Sequence, residues 1–235
     1  MTSRHGYFVT GTDTGVGKTV VTLGLMAYLQ EQGKTVVAMK PVASGCEWRA
    51  GGLVNDDALQ LQRHASVALP YAQVNPYAFE PPIAPHIAAS RTGVSISIDT
   101  LRTACDRLAA RADCVLVEGV GGWQVPLNGD ETLADLAAAL GLGVILVVGI
   151  RLGCLNHALL TAESILASGC VPAGWVANRL PPPGTDAAEE NITALKSRLS
   201  FPFLGDVPAM QRPTARRVAG YLSLPAWAGN LPAYF

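Results

Sequence analysis

The chain is short of several features that would assign it to a particular class of protein. Its formal net charge is −1 and only 15% of its residues are charged, so we predict neither nucleic acid nor a membrane as a partner. Five cysteines are scattered without a C-x-x-C pair, a pattern typical of neither a disulfide framework nor a zinc site. Reduced, buried thiols in a cytoplasmic protein are the expectation.

Long apolar segments are also missing. Residues 136–150 carry no charge, but Gly141 and Gly143 interrupt this run, which is shorter than the ~18–20 residues of a membrane-spanning helix. A basic stretch followed by an apolar one is absent near Met1, so an export signal is not expected. The 235 residues, 49% of them hydrophobic and without internal repeats, predict one domain over 1–235. Prolines in residues 222–235 predict a loosely ordered tail.

The sequence does contain a regular alternation of two kinds of segment. Short apolar runs without period-two alternation predict strands that are buried on both faces, at residues 7–10, 36–39, 114–117, 144–148 and 174–177. Helical spacing between them predicts helices at residues 19–30, 57–64, 98–111, 133–140, 156–167 and 187–199. The proline-rich residues 76–85 and 181–183 are interpreted as surface loops. The alternation predicts a three-layer α/β fold with a mostly parallel sheet.

A glycine-rich loop, "GTDTGVGKT" from Gly11 to Thr19, joins the first predicted strand to the first predicted helix. Such a loop turns backbone N–H groups towards an anion, and the helix N-terminus adds partial positive charge. Lys18 can reach the β- and γ-phosphates of a nucleotide, and the Thr19 hydroxyl can bind Mg²⁺. The loop therefore predicts a P-loop NTPase-like fold, although its first glycine stands one place earlier than in G-x-x-x-x-G-K-[ST].

Charged residues follow two other predicted strands and begin one helix. Glu118 ends an apolar strand, and the carboxyl end of that strand should lie beside the loop in a parallel sheet. Asp57 is either a second carboxylate for the metal or an ordinary residue of a helix's first turn. Lys40 closes the second strand, where it is either a solvated lysine or a cation directed into the same crevice.

Seven segments of the chain together resemble the dethiobiotin synthase family. They are, in order, "VTGTDTGVGKT", "KPVASG", "NDDALQLQ", "VNPYAFEPPIAPH", "VLVEGVGGWQVPL", "VILVVGIRLGCLNHALLTAE" and "AGWVAN", and the resemblance covers residues 7–208. The longer phosphate loop is itself the form found in that family. The resemblance implies an ATP-dependent ligase of biotin biosynthesis, which closes a ureido ring on 7,8-diaminononanoate with CO₂ and MgATP. It also implies a carbamate, a carbamic-phosphoric anhydride and a homodimer with the substrate near its interface.

The same resemblance assigns roles to individual residues. It places Thr14, Lys18 and Lys40 at the reacting groups, with Ser44, Lys40 and Asn156 at the substrate, Asn156 coming from the neighbouring subunit. Thr19, Asp57 and Glu118 fall on the Mg²⁺ positions. The nucleotide-binding positions are Gly15, Val16, Gly17, Lys18, Thr19, Val20, Asp57, Glu118, Gly119, Val120, Gly121, Asn178, Val207, Pro208 and Ala209. Among them, Asn178 is expected to contact adenine through its amide.

Two other classes of function share this kind of fold. A dimeric ATP-driven switch often carries a second lysine early in its phosphate loop, where this chain has Asp13, and an aspartate in its switch, where this chain has Glu118. An amide-forming synthetase of corrinoid precursors usually has an added glutaminase domain, for which 235 residues leave no room. The residues Asp13 and Glu118 therefore favour the ring-closing ligase over the switch.

Overall fold

The computed structural model describes residues 5–181 and 186–225. The strands in chain order are β1 (Gly6–Gly11), β2 (Val36–Met39), β3 (Val42–Ser44), β4 (Glu47–Arg49), β5 (Gly52–Val54), β6 (Tyr77–Phe79), β7 (Cys114–Glu118), β8 (Gly143–Ile150), β9 (Pro172–Arg179) and β10 (Phe203–Val207). The helices are α1 (Lys18–Glu31), α2 (Asp56–His64), α3 (Tyr71–Val74), α4 (Pro85–Arg91), α5 (Ile98–Ala109), α6 (Leu133–Leu140), α7 (Cys154–Ala167), α8 (Ala188–Arg198) and α9 (Ala215–Ala219).

Six strands form the central sheet, in the order β10-β9-β8-β1-β7-β2. Every neighbouring pair in this sheet is parallel. All residues of β7 and β8 are buried. Because successive side chains in a strand point to opposite faces, both faces of the sheet must be covered by other layers. The predicted three-layer α/β fold with a parallel sheet is confirmed.

The long apolar segments of the sequence correspond closely to the structure. The five predicted strands are β1, β2, β7, β8 and β9, and the six predicted helices are α1, α2, α5, α6, α7 and α8. The edge strand β10 was not predicted, nor were the short elements β3 to β6, α3, α4 and α9. These elements are short or polar, so their periodicity is too weak to identify them.

The proline-rich residues 76–85 are not simply the surface loop that the sequence predicts. They contain β6, which pairs in parallel with β3, and the Phe79 side chain in β6 is only 4% exposed. Pro85 is the first residue of α4, a position where proline costs no helical hydrogen bond. Of the second proline-rich stretch, residues 182–183 lie outside the described residues.

The beginning of the predicted tail is held against the sheet. Gly205 and Leu222 form an antiparallel bridge, and the Ser223 N–H donates to the Leu204 carbonyl over 2.7 Å. The two backbones approach so closely that a Cβ on Gly205 would lie 2.1 Å from the Tyr221 carbonyl oxygen. Order therefore extends beyond residue 222, and residues 226–235 lie outside the described part of the chain.

Strand β1 lies at the point where the strand order reverses direction. Its neighbours are β7 on one side and β8 on the other, and β2 lies beyond β7. In open parallel sheets, ligands bind in the crevice at the carboxyl ends of the strands around such a point. The glycine-rich loop follows β1, Glu118 ends β7 and Lys40 follows β2, so the topology brings all three to one edge.

Candidate active site

The glycine-rich loop leads directly into the N-terminus of α1. Gly17 is the N-cap of this helix with φ 90°, and Gly15 has φ 75°, a left-handed backbone that glycine adopts without strain. The first turn of α1 contains no acidic residue, and no side chain in the described part of the chain caps it. Its N–H groups are therefore available to an anion, as a phosphate site requires.

Lys18 joins the phosphate loop to the loop that follows β7. Its ammonium donates to the Asp13 carbonyl over 2.9 Å and to the Gly121 carbonyl over 2.6 Å, and the residue is only 7% exposed. Burial and repulsion from Lys40 lower the Lys18 pKa to about 8, although Glu118 and other carboxylates oppose this shift. A bound anion would favour the charged form of this lysine.

Glu118 lies at the centre of a buried polar cluster. Its Oε1 atom accepts hydrogen bonds from the Thr19 hydroxyl at 2.8 Å and from the Lys40 ammonium at 2.5 Å. The Lys40 ammonium also lies 3.3 Å from Asp57 Oδ2. Helix α1, the end of β2, α2 and the end of β7 each contribute one residue, so the cluster depends on tertiary structure.

Charge compensation keeps Lys40 ionised although it is only 5% exposed. Burial lowers the Lys40 pKa, but attraction to the Glu118 and Asp57 carboxylates outweighs this effect and raises the pKa above its ordinary value. The interpretation of Lys40 as a cation directed into the crevice is thus consistent with its position, and the interpretation as a solvated surface lysine is not. Asp57 lies in the first turn of α2 and also contacts Lys40. Its position therefore agrees both with an ordinary first-turn residue and with a second carboxylate for the metal.

The oxygen atoms of this cluster fit the requirements of Mg²⁺. Glu118 is fully buried, and its Oε2 atom has no hydrogen-bond partner among the described residues. A buried carboxylate oxygen of this kind needs a cation or a donor to offset its desolvation. Thr19 and Asp57 supply further hard oxygen donors nearby. The described residues contain no group of three or more His, Cys, Asp or Glu that could hold a metal, but Mg²⁺ commonly takes only one or two carboxylates plus phosphates and water.

A second group of predicted residues lies at the carboxyl ends of β9 and β10. Asn178 and Val207 are register partners in these two strands, and Pro208 and Ala209 follow Val207. The Asn178 amide donates to the Val16 carbonyl over 2.9 Å, which places it directly behind the phosphate loop. The sequence did not predict this contact, which uses one of the two N–H groups of the amide; the amide oxygen is a potential acceptor.

The remaining predicted residues differ in where the structure places them. Ser44 ends β3, close in sequence to Lys40, and its hydroxyl is buried without a partner among the described residues. Thr14 is exposed on the loop, and a Cβ on Gly121 would lie 3.8 Å from its hydroxyl oxygen. Asn156 is exposed in the first turn of α7, a helix that contributes no residue to the Glu118 cluster as described above.

One ion pair beside the loop was missed by the sequence analysis. The Arg151 guanidinium, which directly follows β8, lies 2.6 Å from the Asp13 carboxylate in the loop. The sequence distinguishes classes of function at Asp13, and no role was predicted for Arg151. A charged residue that directly follows a buried parallel strand was the available signal, because it lies at the ligand edge of the sheet.

The parallel sheet, the glycine-rich loop and the lysine–carboxylate cluster define a nucleoside-triphosphate-binding protein of the P-loop class. The ATP-dependent dethiobiotin synthetase BioD of Pseudomonas paraeruginosa is 54% identical over 219 residues, covering 93% of this chain and 96% of that protein. The synthetase of the same name from Aromatoleum aromaticum is 48% identical, covering 96% of this chain and 100% of that protein. The chain belongs to the dethiobiotin synthetase family and is an ATP-dependent ligase.

Two further comparisons agree with this fold. A family model described as an AAA domain matches residues 5–217. The MinC:MinD cell division complex of Aquifex aeolicus contains a chain with a TM-score of 0.56 and 15% identity, covering 91% of this chain and 86% of that one. At this level of identity the likeness concerns the fold alone. In the described residues, no helix is long and apolar enough to cross a bilayer.

Proposed function

We propose that this protein forms dethiobiotin, ADP and phosphate from 7,8-diaminononanoate, CO₂ and ATP. One amine of the diamine captures CO₂ as a carbamate. A carbamate oxygen then attacks the γ-phosphate of ATP, which releases ADP and forms a carbamic-phosphoric anhydride. The observation that carries the proposal is the buried Lys40 ammonium, which lies among oxygen atoms suited to a metal and beside the phosphate loop. Membership of the family supports the overall activity, and the charges of the site support this order of steps.

The first step requires two anions to approach each other. A carbamate carries a negative charge and is a poor nucleophile, and the triphosphate repels it. Lys18 and Lys40 can neutralise the charge that develops between them, and they require little rearrangement because hydrogen bonds already hold them. The amides of the phosphate loop would align the γ-phosphate, so positioning and electrostatics supply most of the rate enhancement.

Thr19, Asp57 and Glu118 would hold Mg²⁺ in this proposal. When bound, Mg²⁺ supplies positive charge to the β- and γ-phosphate oxygens. Glu118 suits this role because its Oε2 atom is buried and lacks a protein partner in the described structure. The Lys40 ammonium shares the Oε1 atom of the same carboxylate, so it would also help to orient Glu118.

The second step closes the ring. The carbamic-phosphoric anhydride has a phosphate leaving group, and the second amine of the diamine attacks its carbonyl carbon and expels that phosphate. No protein nucleophile is required. The unpartnered Ser44 hydroxyl and the exposed Thr14 hydroxyl can each hydrogen-bond the carbamate or phosphate oxygens, and a closed site would protect the anhydride from water.

Two further parts of the proposal concern the ends of the ligands. Asn178, Val207, Pro208 and Ala209 would contact the adenosine, because they lie at the same sheet edge as the phosphate loop. Asn156 would contact the carboxylate of a diamine bound to the partner subunit of a homodimer, which agrees with its exposure. All five cysteines are buried and none forms a disulfide in the described structure, which agrees with a cytoplasmic location.

A coupled assay tests this function directly. Purified protein receives diaminononanoate, bicarbonate and MgATP, and the formation of ADP and dethiobiotin is followed in the same sample. We expect equal amounts of both products, with ATP turnover dependent on the diamine. ATP turnover that is indifferent to the diamine would contradict the ligase and favour an ATP-driven switch.

A further inference from the structure

The ion pair between Asp13 and Arg151 joins the phosphate loop to the end of β8. Asp13 Oδ2 accepts from the Arg151 guanidinium at 2.6 Å, and Asp13 Oδ1 accepts from the Thr14 N–H at 2.7 Å. The two side chains are 48% and 40% exposed, respectively. A half-exposed pair of this kind contributes little to global stability, so stability alone does not account for it.

Asp13 also connects this pair to the residues of the proposed reaction. Its carbonyl accepts from the Lys18 ammonium at 2.9 Å, while its carboxylate holds the amide of Thr14. Asp13 therefore contacts two residues of the proposed reaction, Thr14 through its carboxylate and Lys18 through its carbonyl. A backbone hydrogen bond also links this part of the loop to β8, since the Thr12 N–H donates to the Val147 carbonyl over 3.2 Å.

The charge of Asp13 presents a difficulty for a phosphate-binding loop. A carboxylate in the loop repels an incoming triphosphate unless a cation offsets it. Burial raises the Asp13 pKa, but the Thr14 amide and Arg151 more than compensate and hold the pKa below its ordinary value. Asp13 is thus ionised at neutral pH, and Arg151 is the side chain that pairs with it.

We propose that Arg151 is a positioning residue for nucleotide binding, which acts through Asp13. It neutralises the Asp13 carboxylate and fixes its direction, and Asp13 in turn holds the loop at Thr14 and Lys18 in the geometry that receives the triphosphate. This inference rests on the proposed ATP site, and it adds a residue outside the glycine-rich loop. Arg151 itself does not touch the reacting atoms.

A double-mutant cycle separates this role from a general structural one. The variants are Arg151→Met, Asp13→Asn and the two combined, and the measurements are the Kd for MgATP, kcat for dethiobiotin formation and the melting temperature. Asp13→Asn keeps an oxygen that can accept from the Thr14 amide, but it removes the charge that Arg151 neutralises. We expect Arg151→Met to weaken MgATP binding about tenfold in the native background and less than about twofold in the Asp13→Asn background.

Two further variants complete the experiment. Arg151→Lys preserves the charge and should keep the Kd within about threefold of the native value. Arg102→Met is a matched control, because Arg102 forms a comparable exposed pair with Asp99 at 2.9 Å within α5, and it should leave the Kd unchanged. If Arg151→Met lowers the melting temperature, the Kd of every variant is measured below the melting temperature of the least stable one, so the cycle still compares folded proteins.

The result that overturns the inference is an Arg151→Met effect of equal size in both Asp13 backgrounds, or no effect in either. That result leaves the proposed function intact if native protein still converts the diamine to dethiobiotin. Conversely, native protein that binds MgATP but forms no dethiobiotin would refute the proposed function, while the cycle would still report whether Arg151 acts through Asp13.

Discussion

Strand β7 contains two regions that are equally buried for different reasons. Its residues from Cys114 to Val117 are apolar, whereas Glu118 at its end is charged, and all five are 0% exposed. The apolar part is stabilised by the removal of surface from water, which has no preferred direction. The charged end is buried only because Lys40 and Thr19 supply directed partners, so the loss of one partner should be felt more sharply there.

The largest expected effect comes from Lys40→Ala, which removes the ammonium that pairs with Glu118 at the charged end of β7. We expect kcat to fall by about three orders of magnitude, because the variant lacks the cation between carbamate and γ-phosphate. Nucleotide binding should remain mostly intact, because Lys18 and the loop amides are unchanged. Single-turnover kinetics and titration with MgATP measure the two quantities separately. Near-normal turnover would remove Lys40 from the mechanism.

Leu116→Ala tests the apolar region of β7. Leu116 is 0% exposed and lies between Tyr7 and Ala38 in the sheet. The free energy of unfolding should fall by about 2–5 kcal/mol, while kcat and KM of the folded enzyme change little. Urea denaturation followed by assay below the transition gives both values. A large loss of activity without loss of stability would show that the two regions are not independent.

Thr19→Val removes the hydroxyl that donates to Glu118 and preserves the shape of the side chain. The affinity for MgATP should fall about tenfold, because Glu118 loses a hydrogen bond and the metal loses an oxygen. The affinity for ATP in the presence of a chelator should change far less. Calorimetric titrations with and without Mg²⁺ distinguish these cases, and an unchanged Mg²⁺-dependent affinity counts against the metal role of Thr19.

The smallest effect is expected where charges are exposed. Arg102→Met breaks the pair with Asp99, whose side chains are 50% and 83% exposed, respectively. The free energy of unfolding should change by less than about 0.5 kcal/mol, because solvent screens such a pair. Thermal and urea denaturation measure the change. A loss comparable to that of Leu116→Ala would show that exposure is a poor guide to the cost of breaking a pair in this protein.

The sequence predicted the sheet better than it predicted the site. Unbroken apolar runs identify β7 and β8 because burial on both faces leaves no room for polar residues. The edge strand β10 was missed because Gly205 and Asp206 interrupt a run of only five residues. The edge is less buried, so the composition of its strand is less restricted.

In the site, the residues recognised from the sequence are those whose position in an element reveals them. Lys18 and Glu118 stand at the start of a helix and the end of a strand, respectively, where parallel topology brings ligands. The Asp13–Arg151 pair joins residues 138 positions apart, and the Asn178–Val16 contact joins residues 162 positions apart. Pairings at such separations follow from the register of β1 with β8 and of β8 with β9, which local patterns do not specify.

The bridge between Gly205 and Leu222 has a consequence for the behaviour of the protein at high concentration. Outer strands can recruit the strand of another molecule, which begins aggregation. Here the chain supplies its own partners on both sides, through Ser223 at β10 and through the Ser66 N–H, which donates to the Val36 carbonyl of β2 over 2.8 Å. Truncation before Leu222 should therefore make the protein prone to precipitation, because it uncovers hydrogen-bonding groups that a foreign strand can use.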